Sequence, residues 1–330
     1  MSSAPSGTVR RPAVAGLFYP AQEQECIRVA EDFVRAGASG ANGSTAGAPD
    51  ATETARQAAS SAGGPWIGAI VPHAGWICSG AIAGEAIGSM SRSHGGRKGV
   101  GSAGDAGAVD VVVIFAAVHT PLPLRAAALA SHGAWAAPGG TSRVPGELSQ
   151  KLLRDAGSWF VTDDRFHDRE HAVEVELPLV QRALPGARVL PIEVPLTEEA
   201  VQIGTRVADA VRSENLRAVY LASSDLTHYG PAYGFAPAGI GADALAWARE
   251  NDRRLLRVVT ELSAERVVPE VRKNLNACGG GAIAAMLSAC REQGAQRASV
   301  LRHANSYEVL RDVAPQRPDN AVGYAAVVVG

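Results

Sequence analysis

The chain has 330 residues, 46% of them apolar and 19% charged, with 31 basic against 33 acidic side chains. That balance suits one large or two modest globular domains and excludes whole-chain disorder. A net charge of -2 and only 5% aromatic residues exclude a basic nucleic-acid surface or a base-stacking platform as the main business, and no apolar run reaches the roughly 18 residues that span a bilayer.

Met1 to Thr8 is small and polar, without the basic and apolar regions of a secretory signal. With four cysteines in a chain of this size, the expectation is reduced thiols in a cytoplasmic protein rather than a disulfide framework. Gln22 to Ala36 carries Ile27, Ala30, Phe33 and Val34 at helical spacing. The stretches 38–64 and 94–107 are rich in Gly and other small residues and are read as surface loops. Ile67 to Val71 predicts a strand, Gly80 to Met90 a helix of small residues, and the β-branched run Val109 to Val118 a second strand. Leu148 to Ala156 predicts a helix, and Glu170 to Leu184 a helix broken near Pro178. Val189 to Val194 and Ala218 to Ala222 read as strands, with a helix between them at Glu198 to Ser213. Helices at Ala242 to Thr260 and Gly280 to Ala289 and a strand at Ala321 to Val329 complete the series. Strands alternating with helices throughout predict an α/β fold: one domain over 1–330, built on a mixed, mostly parallel sheet flanked by helices.

The chemistry gathers behind the strands. Ile67 to Val71 runs into Pro72-His73-Ala74-Gly75-Trp76, Val109 to Val118 into His119-Thr120-Pro121, and Ala218 to Ala222 into Ser223-Ser224-Asp225-Leu226-Thr227-His228. Ligand crevices of open α/β sheets lie outside the carboxyl ends of the strands. If these strands are parallel neighbours, His73, His119 and His228 face one cleft, and only eight histidines exist in the chain. Cys278 precedes Gly279-Gly280-Gly281 and a helix, a position whose macrodipole favours the metal-binding thiolate. Cys26, Cys78 and Cys290 fit buried, inert thiols. Within the charged stretch His167 to Pro178, His171 and Glu174 at i and i+3 share one face if that stretch is helical, placed to orient a ligand or move protons. The spacing is not that of HExxH, and no dinucleotide fingerprint, P-loop or nucleophile elbow is present.

Taken in order, Val9 to Pro20, Pro72 to Trp76 with Ser79-Gly80, Glu170-His171 with Glu174 and Leu177-Pro178, Ser223 to Gly230, Ala277 to Gly279, Asn305-Ser306 and Val322 to Tyr324 resemble the Memo family, also called AmmeMemoRadiSam system protein B. The resemblance departs from the family's pattern at Ala116-Ala117-Val118, where the family reads Gly-Pro-Ser before the second histidine. It implies a fold like that of class III extradiol dioxygenases, with His73, His119 and Cys278 as metal ligands and Cys278 in the place of a carboxylate. It further implies that His228 is the acid/base histidine, with Asp225 and His171 beside it. The functional expectation is an oxidoreductase of dioxygenase type holding Fe(II) and acting on a small aromatic or diol substrate. The alternatives are a non-catalytic copper- or iron-binding or peptide-binding module, and a zinc hydrolase; a link to a radical-SAM protein is implied by the same resemblance.

Overall fold

The computed structural model describes residues 7–39, 65–94, 108–311, 313 and 317–330. The expected loops at 38–64 and 94–107 therefore lie almost wholly outside the described residues; the exceptions, 38–39 and His94, end or cap helices. At the centre, four strands run parallel in the order Gly68–Val71, Ala218–Ser223, Val111–Ala116, Arg188–Glu193. Beyond Gly68–Val71 lies antiparallel Ala321–Val329, which also pairs antiparallel with Ala298–Asn305 and His228–Tyr229. Beyond Arg188–Glu193 lies antiparallel Ala127–Leu129, followed by Phe160–Thr162 parallel to it. A separate three-stranded sheet joins Val9–Arg10, Ala134–Ala137 and Gly140–Arg143. The sheet is mixed, as expected, with the parallel pairing concentrated at its centre.

The reason this sheet forms is visible in Val111–Ala116. All six residues are buried, and their side chains alternate between two cores. Val111, Val113 and Phe115 enter one, packed with the helices Ala200–Ser213, Ala242–Thr260, Ala264–Asn274 and Gly280–Glu292. Val112, Ile114 and Ala116 enter the other, packed with Glu23–Ser39, Trp76–Ser93 and Leu177–Ala183. A parallel strand covered on both faces needs an unbroken apolar run, and each large side chain so buried contributes about 1.5–3 kcal/mol. Small residues let the helices approach. A Cβ on Gly88 would meet the backbone oxygen of Val34, and one on Gly204 that of Ala285, so a side chain at either position would force apart helices that the core holds together.

Three differences from the sequence reading have physical causes. Residues 170–176 are not helical apart from one tight turn at Glu174–Glu176, and the α-helix begins at Leu177. Pro178 stands in its first turn, where a missing N–H costs nothing, so it starts the helix rather than breaking it. Ala264–Asn274 is helical despite Pro269, which masked it in the sequence. Ala298–Asn305 becomes a strand through its antiparallel ladder with Ala321–Val329, a long-range pairing. No helix among the described residues is long and apolar enough to cross a membrane.

Candidate metal centre

His73 follows Gly68–Val71, and His119 follows Val111–Ala116. Ala218–Ser223 runs between those two strands, so its last residue, Ser223, lies between the histidines. Ser223 donates to the Ala172 carbonyl at 2.6 Å. Its oxygen must therefore accept from His73, whose Nδ1 is 2.8 Å away. That fixes the Nδ1–H tautomer and leaves the Nε2 lone pair free. The backbone N–H of His73 donates to Asp225 Oδ1 at 2.8 Å. Burial, reinforced by the neighbouring His119 and His171, lowers the His73 pKa well below its ordinary value and keeps the ring neutral.

His119 is held by one carboxylate. Its backbone N–H donates to Glu170 Oε2 at 2.8 Å, and its Nδ1 lies 2.9 Å from Glu170 Oε1. A carboxylate only accepts, so Nδ1 carries the proton and Nε2 is again the free nitrogen. Burial works to raise the Glu170 pKa, but the hydrogen bonds from His119 and His171 prevail and hold its carboxyl well below the ordinary range. The same oxygen, Oε1, also accepts from the backbone N–H groups of His171 and Ala172. His119, Glu170 and His171 lie close enough to hold an ion, but Glu170 Oε1 is already saturated with donors. It serves to orient His119 rather than to ligate.

Cys278 arrives through a bridge between Leu226 and Ala277, two residues before the helix Gly280–Glu292. Its Sγ lies 3.3 Å from His73 Nε2 and 3.2 Å from the backbone nitrogen of Asp225, which donates to it. The potential ligand atoms of His73, His119 and Cys278 all fall within 4.8 Å of one another. Nitrogen and sulfur ligands about 2.1 and 2.3 Å from one ion stand roughly 3.5 Å apart, so the donor set fits a metal. The expected thiolate does not arise from the helix terminus: burial and the nearby Asp225 push the thiol up. A bound cation would reverse that, since coordination deprotonates a thiol outright.

The remaining expected site residues lie around this cluster. The His171 ring is 4.6 Å from that of His119 and 5.2 Å from that of His73, with Phe18 against it at 4.7 Å. Asp225 touches both His73 and Cys278; burial raises its carboxyl, while nearby His228 and the His73 N–H pull it down. His228 is half-buried, donates from Nδ1 to the Leu226 carbonyl at 3.1 Å, and stands edge-on to Tyr233 at 5.2 Å. The sequence reading missed Glu170 and Ser223 as orienting groups, although both lie inside motifs it had singled out. Glu174 departs from expectation. It is fully buried, pairs with Arg10 and accepts from Ala13 N, Val14 N and the Tyr19 hydroxyl, so it binds the N-terminal segment instead of a ligand. Cys26 and Cys290 are buried as expected, whereas Cys78 is only partly so and shares a hydrogen bond with Tyr324.

A family model described as Memo-like protein matches residues 10–328. The chain belongs to the Memo-like family. Among its relatives, a MEMO1 family protein of Methanosarcina acetivorans is 32% identical over 97% of this chain and 99% of its own length. One of Thermococcus onnurineus is 30% identical over 97% and 99%. A solved structure of an uncharacterized Escherichia coli K12 protein aligns with a TM-score of 0.40 at 11% identity, covering 66% of this chain and 85% of that one, too distant to carry an argument. Within the Memo-like family, then, this chain brings two histidines and a cysteine together at the carboxyl end of its central strands.

Proposed function

We propose that this Memo-like protein is a metal-dependent oxidoreductase whose ion is held by His73, His119 and Cys278, with Fe(II) as the first expected occupant. The observation that carries it is the convergence of one ring nitrogen from each of His73 and His119 with the Cys278 sulfur, all within 4.8 Å. Three protein ligands leave positions open for substrate, as in non-haem iron oxygenases. Such an ion supplies Lewis acidity and one-electron chemistry toward dioxygen. The protein's own part is orientation and proton handling. Ser223 and Glu170 fix both ring tautomers. His119 has 34% of its side chain exposed, so substrate approaches from its side rather than past buried His73. His228 has its Nδ1–H committed to a carbonyl, so Nε2 takes the proton of a substrate hydroxyl and returns it later. Asp225, which accepts the His73 N–H, and His171, packed against Phe18 and the His73 and His119 rings, flank the ligands. The substrate class is a small aromatic or diol, and the setting is cytoplasmic.

Anaerobic loading with Fe(II), followed by air and a panel of catechols, is expected to give oxygen uptake that a His228→Ala variant loses. Uptake equal in the two proteins overturns the acid/base role, and none in either overturns ring-cleavage chemistry. The thiolate supports a second reading, because sulfur favours Cu(I) and Zn over hard ions. A Cys278-dependent copper or zinc content with no oxygen uptake would point to a metal-binding or hydrolytic protein instead.

A further inference from the structure

Both imidazoles are governed by one short stretch of backbone. From it, Glu170 holds His119 through two hydrogen bonds, and the Ala172 carbonyl holds Ser223, which holds His73. This stretch, residues 167–173, belongs to no helix or strand, so no regular ladder keeps it in place. Arg10 does. Its Nε donates to the His167 carbonyl at 3.1 Å and its Nη2 to the Glu170 carbonyl at 2.7 Å, while Nη1 pairs with the Glu174 carboxylate. The guanidinium is 2% exposed and lies 4.4 Å over the Trp135 ring. Glu174 in turn ties Ala13, Val14 and Tyr19 to the same place.

A planar fork with five fixed donors can satisfy three acceptors on three residues at once, and a lysine ammonium at the same position cannot match that geometry. We propose that Arg10 is the positioning residue of the metal centre. By gripping the backbone carbonyls of His167 and Glu170 and the Glu174 carboxylate, it places Glu170 and Ala172 so that both histidines keep Nδ1 bonded and leave Nε2 for a ligand. The inference rests on the metal-binding reading for its functional consequence, but the orientation of the rings is a property of the metal-free chain.

The test compares the full-length wild type with Arg10→Lys, which keeps a cation beside Glu174 and loses the fork. Imidazole 15N spectra of the metal-free proteins are expected to show His73 and His119 locked as Nδ1–H in the wild type and populating both tautomers in the variant. Co(II) titration is expected to show affinity weakened about 10- to 100-fold, the range for loss of an outer-shell partner, with an altered visible spectrum. Should Arg10→Lys fail to fold, the neutral pair Arg10→Met with Glu174→Gln removes the same donors without leaving a lone buried charge. A folded variant with wild-type tautomers overturns the proposal. If the wild type takes up no Co(II), the metal-binding reading fails separately, and the tautomer comparison alone decides whether Arg10 positions the rings.

Discussion

Four glutamates within reach of the site are equally buried and behave in two opposite ways. Glu170 and Glu174 are crowded with donors: imidazole and backbone N–H groups on the first, a guanidinium, two backbone N–H groups and a phenol on the second. Glu176 and Glu193 are fully buried with no hydrogen-bond partner at either oxygen. Burial drives both of their carboxyls well above the ordinary glutamate value of 4.5, aided by the nearby charges of Asp225 and Glu170 respectively. Residue type and depth are the same in all four. The supply of N–H and O–H donors decides which carboxyl serves as an anion and which as a neutral acid.

Breaking the crowded pair has the larger expected effects. Glu174→Gln leaves the Arg10 charge buried without its counter-ion, and unfolding in urea is expected to show a loss of about 3 kcal/mol or more. Glu170→Gln keeps the shape but no longer offers His119 two carboxylate oxygens. Metal affinity measured by Co(II) titration is expected to fall about 10- to 100-fold while His73 keeps its tautomer. Ser223→Ala removes the acceptor for His73 Nδ1 and should weaken the metal by a similar or smaller factor, with His119 unaffected.

The uncrowded pair responds to pH with the opposite sign. A glutamate whose folded pKa is raised binds its proton more tightly when folded, so its contribution is complete below 4.5 and is lost as pH rises toward the folded value. Glu193→Gln and Glu176→Gln mimic the protonated acids and abolish that loss. Each is expected to raise Tm at pH 8 by about 2–4 °C, corresponding to roughly 1 kcal/mol, with the gap closing as the pH is lowered to 4.5. Calorimetry from pH 4 to 8 checks this, and a gap that widens on acidification would contradict the assignment. His167 works against acid instead. Burial lowers its pKa to about 4, so its stabilising contribution is present above 6.5 and is lost on acidification toward 4. His167→Gln should flatten that acid limb.

Much of this molecule was legible without coordinates. Apolar runs at 67–71, 109–118 and 218–222 marked the central strands, because a strand buried on both faces has to be apolar along its length. The histidines after those strands and the cysteine before a glycine-led helix pointed to the candidate site, where His73, His119 and Cys278 do come together, because α/β sheets open their crevice at that edge. Local spacing misled at 170–176, where a helical pattern in the charges has no helix beneath it. What fills that stretch instead is a set of contacts with Arg10, some 160 residues away in sequence, and no window of local pattern registers such a contact.

Residue types and the succession of strands along the chain were thus the property of the sequence: which side chains carry lone pairs, and which strand ends they follow. Only the tertiary structure decided how they are used. A histidine's tautomer, a glutamate's charge and a thiol's readiness to ionise depend on which donors and acceptors lie within about 3 Å, and here those partners come from distant segments. The chain thus encodes the ingredients locally, and its long-range packing sets their protonation and aim.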